Sequence, residues 1–216
     1  DIDVGPEGTA FKLHHGTDAP EDVRVALWGK HSVENALALF ASLEAQGFNR
    51  ASIADAMTTF PGVKKRLELI GEARGVAVVE DFGHHPTAVK LTLEACRGRF
   101  PSKRLWAVFE PRSATSRRNI FEDEYEHALS LADAVALCSH PRLHEVEESE
   151  RFDPVGLLAR LSTKGLPTVY GETVSELKAG LLESARPDDV IILFSNGDFE
   201  GLSHQLLSDL AERGGS

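Results

Sequence analysis

Two rhythms of apolar residues alternate along most of this chain. Short, largely β-branched runs occur at Val76–Glu80, Leu105–Phe109, Ala134–Cys138, Thr168–Tyr170 and Val190–Phe194. Between and after them lie segments whose apolar positions recur every three or four residues: Thr87–Arg97, Arg118–Leu131, Val155–Leu161, Val174–Ser184 and Leu202–Ala211. Short apolar runs bounded by turn residues predict buried strands, and the three-to-four spacing predicts amphipathic helices. Their alternation predicts an α/β fold, a mainly parallel sheet with helices on both faces. The helix carrying Leu202, Leu206, Leu207 and Leu210 closes this region, and the tail from Glu212 to Ser216 is expected to fray.

The first sixty residues follow a different pattern. Gly8–His14 and Val23–Leu27 alternate apolar with polar, as half-buried strands do, and the loop His15–Asp22 would join them as a hairpin. A lone hairpin is marginal in water, so both strands should belong to a larger sheet. Helices are predicted at Val33–Gln46, ended by Gly47 at the position that favours a left-handed glycine, and at Ser52–Thr59. The break at Phe60-Pro61-Gly62-Val63 marks a domain boundary, dividing 1–60 from 61–216, with Pro61-Gly62 as a hinge.

Composition narrows the function. Of 216 residues, 42% are hydrophobic and 26% charged, which fits a soluble globular protein. The net charge of −11 argues against a non-specific grip on nucleic acid or anionic lipid, so an anionic substrate must be met by local arginines and backbone amides. No apolar run is long enough to span a bilayer, and no signal-like start is visible. Cys96 and Cys138 read as small buried hydrophobes in a reducing, cytoplasmic compartment. Neither glycine-rich phosphate-binding pattern occurs, so any nucleotide chemistry must be completed outside these residues.

Four stretches at element ends carry candidate chemistry. The strand ending at Val79 passes through Glu80-Asp81-Phe82-Gly83-His84-His85 into a helix that Pro86 is suited to open. Open α/β sheets bind ligands at such turns, and a helix N-terminus favours anions. Asp81 can hold a ribose diol or simply accept backbone N–H groups in the turn. His84 and His85 can face an anion or, with His140, His144 and Glu145, a metal; Pro141 breaks the helix that would align the second pair. At Gly29–Asn35, Ser32 is a sound N-cap, while His31 and Asn35 lie four apart, where Asn35 can read a base edge. Lys64-Lys65-Arg66 is either a solvated face or a cluster in which Arg66 clamps phosphate. Arg112, Ser113 and Thr115 follow one strand and Ser195-Asn196-Gly197 another, on the same sheet edge as Asp81. An arginine among hydroxyls suits a carboxylate; the plain alternatives are helix capping and a tight turn.

Taken in order, Gly29-x-His31-x-x-x-Asn35, Gly62-Val-x-x-Arg66-x-Glu68 and Asp81-Phe-Gly-His84-His-Pro-Thr87 resemble the Mur ligases of peptidoglycan synthesis. The resemblance spans almost the whole chain. It implies a Rossmann-like C-terminal domain preceded by the end of a central ATPase domain, with the phosphate loop and most Mg²⁺ ligands upstream. The implied activity is ATP-dependent amide formation, in which a muramate carboxylate is phosphorylated and an amine attacks. Phe109-Glu-Pro-Arg-Ser-x-Thr115 and Ser195-Asn-Gly-x-Phe-x-Gly-Leu202 look like the members that join L-alanyl-γ-D-glutamyl-meso-diaminopimelate to UDP-N-acetylmuramate during recycling. The near relatives that join L-alanine typically carry histidine where Arg112 stands. The resemblance puts His31 and Asn35 against adenine, Arg66 on ribose and phosphates, Asp81 on the ribose hydroxyls and His84 by the phosphates. It puts Arg112, Ser113 and Thr115 at the peptide carboxylate, with Ser195 and Asn196 lining the same cleft. The family pattern has asparagine where this chain has Ser32. The partners implied are the two substrates and the missing N-terminal and central domains, without which these residues are expected to have no ligase activity; the contrasting reading is a non-catalytic domain that binds a peptide or nucleotide.

Overall fold

The computed structural model describes residues 1–17 and 19–213. Asp18 of the first hairpin loop and the last three residues of the expected frayed tail lie outside the described residues. The chain forms two compact units, Asp1–Lys64 with Glu94–Pro101, and Lys65–Leu93 with Ser102 onward.

In the first unit, β1 (Ile2–Gly5), β2 (Gly8–Leu13) and β3 (Glu21–Val25) form an antiparallel sheet in that order. The expected hairpin is β2–β3, with Phe11 opposite Val23 and Thr9 opposite Val25. One face of this sheet buries Phe11, Val23 and Val25. They pack on Val33, Ala36 and Phe40 of α1 (Lys30–Ala45) and Ile53 and Met57 of α2 (Arg50–Thr59). Helix α1 starts three residues before the predicted Val33, at a Gly29 whose φ is 91°. Ser32 is therefore not the N-cap: it lies inside the first turn, and its hydroxyl donates to the Trp28 carbonyl at 2.8 Å. The other end behaves as read. Gly47 takes φ 88° while Phe48 N–H bonds Leu43 O and Gly47 N–H bonds Glu44 O, the 6→1 and 5→2 pair of a Schellman end.

The second unit is built on β4 (Glu68–Ala73), β5 (Val76–Asp81), β6 (Arg104–Phe109), β7 (Ala134–Cys138), β8 (Thr168–Gly171) and β9 (Asp189–Phe194). Their spatial order is β4-β5-β9-β6-β7-β8. All neighbours are parallel except β4, an antiparallel edge strand with a register shift between Leu69 and Gly71. The helices are α3 (Pro86–Arg99), α4 (Glu122–Leu129), α5 (Pro154–Thr163), α6 (Val174–Ser184) and α7 (Leu202–Glu212). Side chains alternate across the sheet. Val76, Val78, Trp106, Val108, Ile191 and Leu193 pack on α6 and α7. On the opposite face Phe109 meets Tyr125 of α4 and Phe152, with ring centroids 4.9 and 6.4 Å away. Both faces are thus covered, as the alternation of patterns predicts. Cys96 and Cys138 are buried and unbridged.

Topology fixes where the unit can bind. Strand β9 lies between β5 and β6. Strand β6 leads to α4 on one face, and β9 leads to α7 on the other. The crevice opened by such divergence, beyond the strands' carboxyl ends, is where α/β sheets take ligands.

Candidate functional site

Three strand ends meet at that crevice. The ladder continues past them: Ser195 N–H bonds Asp81 O at 3.2 Å, and Glu110 N–H bonds Phe194 O at 3.1 Å. At the end of β5, Asp81 is buried and both carboxylate oxygens accept backbone N–H groups, Oδ1 from Gly83 at 2.7 Å and Oδ2 from Leu67 at 2.9 Å. A Cβ on Gly83 would lie 2.6 Å from Oδ1, so only glycine lets the turn close this tightly on the acid. The Leu67 bond holds an uncommon conformation, because Lys65 and Leu67 have φ of 57° and 49° in a region non-glycine residues rarely enter. Lys65 O takes a further bond from Phe82 N–H at 2.7 Å. Arg66, between them, is exposed, with its guanidinium over the Phe82 ring at 5.0 Å.

His84 is half-buried, its Nδ1 3.1 Å from Phe82 O, and its own carbonyl accepts from the buried Tyr125 hydroxyl at 2.5 Å. His85 is exposed and precedes Pro86, which opens α3 as its fixed φ favours.

At the ends of β6 and β9 the key group is Glu110, which is buried. Its Oε2 accepts the Ser195 hydroxyl at 2.5 Å. Its Oε1 lies 3.8 Å from Arg112 Nη1 and 4.0 Å from His140 Nε2. Burial raises the Glu110 carboxyl above its ordinary value, opposed by the Ser195 hydrogen bond and the charges of Arg112 and Lys65. His140, also buried, is pushed below its ordinary value by desolvation and then by Arg112, Arg117 and Arg142. Its Nδ1 accepts from Arg142 N–H at 3.1 Å, which leaves the proton on Nε2, toward Glu110. Arg112 remains 45% exposed at its side chain, a cation facing solvent from an anchored base.

The β9 loop is held from both sides. Ser195 Oγ accepts from Gly197 N–H at 3.0 Å, and Lys65 Nζ donates to Gly197 O at 2.7 Å. Gly197 lies directly against Arg112, where a Cβ would come within 2.5 Å of the guanidinium Nε. Asn196 is half-buried, and its Oδ1 has no hydrogen-bond partner among the described residues. Ser113 takes its plain role, its hydroxyl oxygen accepting from Ser116 N–H at 3.0 Å in the turn after β6. Thr115 is exposed in that turn. Arg117 is buried and ties the turn to Arg142 O at 2.6 Å and Glu145 Oε2 at 2.9 Å.

The second unit thus gathers Arg66, Asp81, His84, Arg112, Ser195 and Asn196 at the ends of neighbouring elements, with Lys65, Asp81, Ser195 and Gly197 lining one small cavity. His31 and Asn35 sit in the first turns of α1, in the other unit, His31 half-buried and Asn35 exposed. Reading the sequence missed Glu110, Lys65 and Tyr125, and weighed His140 only as a metal ligand. Besides near neighbours such as Arg112 for Glu110 and Glu68 for Lys65, they bond across 17 to 132 positions, Tyr125 to His84, Glu110 to Ser195 and Lys65 to Phe82 and Gly197, so no local spacing announces those bonds. Among the described residues no three His, Cys, Asp or Glu side chains are grouped as a metal site. For a nucleotide the fit is better, with an exposed guanidinium beside the turn that opens α3.

Comparison with known proteins places these residues in context. The Mur ligase, glutamate ligase domain, matches residues 65–197. The chain is 35% identical over 195 residues to the UDP-N-acetylmuramate–L-alanyl-γ-D-glutamyl-meso-2,6-diaminoheptandioate ligase of Escherichia coli K12, covering 89% of this chain and 40% of that protein. It is also 35% identical over 213 residues to a UDP-N-acetylmuramate–L-alanine ligase of Chlorobium phaeovibrioides, covering 95% and 45%. The crystal structure of a UDP-N-acetylmuramate–alanine ligase from Thermotoga maritima superposes with a TM-score of 0.81 at 18% identity, over 99% of this chain and 45% of that one. The chain therefore spans less than half the length of the curated relatives it matches.

Proposed function

This chain belongs to the Mur ligase family, and from that premise we propose that it is the peptide-binding portion of an ATP-dependent, cytoplasmic ligase joining L-alanyl-γ-D-glutamyl-meso-diaminopimelate to UDP-N-acetylmuramate. The observation that carries the reading is Arg112, an exposed guanidinium anchored at the shared ends of β6 and β9 by buried Glu110 and packed over Gly197. Guanidinium binds carboxylate through two parallel N–H bonds, and the incoming tripeptide presents several carboxylates. Ser195 and Asn196 flank that position, Asn196 with a buried acceptor left for a substrate N–H, while Ser113 and Thr115 border it from the β6 turn.

ATP would supply the phosphoryl group that activates the muramate carboxylate for attack by the peptide amine. Toward it, Arg66 offers a charge beside the opening of α3, His84 lies in the same turn, and Asp81 holds the backbone that presents Arg66. A carboxylate has about four acceptor positions. Two N–H bonds therefore leave Asp81 able to take a ribose hydroxyl as well. His31 and Asn35 are assigned to the base. Mg²⁺ is assigned to ligands upstream. Domain closure would then hold the amine and the activated carboxylate together, so orientation supplies much of the rate.

The alternative, addition of L-alanine, stands beside it because the identity to the Chlorobium phaeovibrioides enzyme is the same 35%. The full-length ligase, supplied with ATP, UDP-N-acetylmuramate and either tripeptide or L-alanine, separates the two. The tripeptide should be preferred by about 100-fold or more in kcat/KM, since a site built for several charged groups rejects a substrate lacking them. Faster turnover of L-alanine would overturn the assignment.

A further inference from the structure

Glu110 is the only carboxylate among the described residues in contact with Arg112, and it lies at the junction of three strand ends. It follows β6, its Oε2 accepts from Ser195 after β9 at 2.5 Å, and its Oε1 is 4.0 Å from His140 after β7. It is too enclosed to meet a substrate itself, its side chain being 6% exposed. Arg112, by contrast, has Nη1 toward Glu110 at 3.8 Å, lies against Gly197 along Nε, and keeps 45% of its side chain exposed. An arginine with no such anchor would sample many rotamers, and fixing it on binding would cost affinity.

We propose that Glu110 is a positioning residue for substrate recognition: with Ser195 holding its carboxylate in place, it pre-orients Arg112 for the carboxylate of the incoming substrate. The idea rests on the peptide-site reading of Arg112. Each neighbour has a definite part. Ser195 Oγ–H occupies Oε2, and Gly197 N–H in turn fixes the Ser195 oxygen at 3.0 Å, so Glu110 cannot swing toward β9. His140 Nε2 lies 4.0 Å from Oε1 on the β7 side, and burial together with Arg112, Arg117 and Arg142 disfavours the protonated ring, which limits a second positive charge competing with Arg112. Lys65, bonded to Gly197 O, fixes the β9 loop from the other side and lends a second favourable charge to the Glu110 carboxylate. Gly197, with no side chain, leaves the guanidinium room to lie flat against the β9 loop.

The test is a double-mutant cycle in the full-length ligase with Glu110→Gln, Arg112→Ala and the pair, measuring KM for tripeptide, KM for ATP and kcat. Gln keeps an oxygen to accept from Ser195 but removes the charge. Glu110→Gln should raise the tripeptide KM about fivefold, the scale of one half-exposed charge pair, and leave kcat and the ATP KM within about twofold. In the Arg112→Ala background it should have no further effect. A fivefold increase that persists without Arg112, or one shared by the ATP KM, would show a merely structural role and overturn the proposal, as would no increase at all. If Arg112→Ala itself leaves the tripeptide KM unchanged, the peptide-site reading fails instead, and the two failures are told apart. Should Glu110→Gln fold poorly, Glu110→Asp is the second variant. It keeps the charge but retracts it by one methylene, and the same Arg112-dependent KM increase is expected.

Discussion

Single residues here carry two loads. Asp81 is legible in the sequence as a strand-end acid, yet both its oxygens are engaged by the backbone of Gly83 and Leu67. Its first task is to hold the left-handed Lys65 and Leu67 around Arg66, and that depends on a contact fourteen positions away which no motif displays. Arg112 stands out in the sequence because an arginine among hydroxyls is conspicuous. Glu110, two residues earlier, does not, since a glutamate ending an apolar strand looks like a solvated terminus until Ser195 is found beside it, 85 positions on. His140 gives a direct readout of this enclosed polar cluster. Desolvation and three nearby arginines favour its neutral form, so its folded-state pKa lies below the ordinary 6.5. In the window below 6.5 the unfolded chain then binds more protons than the folded one, and stability falls as the pH drops. A ring-resonance titration by NMR should place the His140 midpoint below 6.5. A midpoint above it would mean that the carboxylate of Glu110 dominates and that the cluster is arranged differently.

At the scale of elements, the five parallel strands and most of the helices follow from periodicity, because strands buried on both faces are written as unbroken apolar runs. β4 escaped that reading for a physical reason. Glu68-Leu-Ile-Gly-Glu-Ala73 is an edge strand with charged positions and a register shift at Leu69/Gly71, so its apolar alternation is interrupted. β1, four residues long, is too short to show a period. The helix expected to begin at Arg118 opens instead as a 3₁₀ turn at Asn119–Phe121, after an extended Arg118. The sheet also divides its labour between its two ends. The carboxyl ends of the strands hold the candidate site. The amino ends of β6 and β9 are fastened by Arg104, which meets Asp189 through Nε at 2.8 Å and Nη2 at 2.6 Å, while Trp106 Nε1 donates to the same carboxylate at 3.1 Å. Asp189 is 2% exposed at its side chain, so removing it strands a guanidinium and an indole N–H. Asp189→Ala should destabilise this unit by about 3–5 kcal/mol in urea unfolding, the cost of breaking a buried pair. A loss under about 1 kcal/mol would show that water satisfies those donors instead.

For the molecule as a whole, the charge of −11 sits beside three individual cations, Lys65, Arg66 and Arg112, at the strand ends. An acidic surface discourages casual anion binding, so on the proposed reading Lys65, Arg66 and Arg112 would meet an anionic substrate locally. The fold class and the family were both visible in the sequence. Which amine the proposed ligase would use was not, because relatives named for a tripeptide and for L-alanine match at the same 35% identity. On the proposed reading that choice would be made where the crevice at β6 and β9 meets the incoming carboxylate. The most direct measurement is steady-state kinetics of full-length Arg112→Ala with tripeptide and ATP varied in turn. The expected result is a tripeptide KM raised by about tenfold or more, from loss of a bidentate charged contact, with the ATP KM within about twofold. Equal increases in both, or none in the tripeptide KM, would contradict a peptide site built on Arg112.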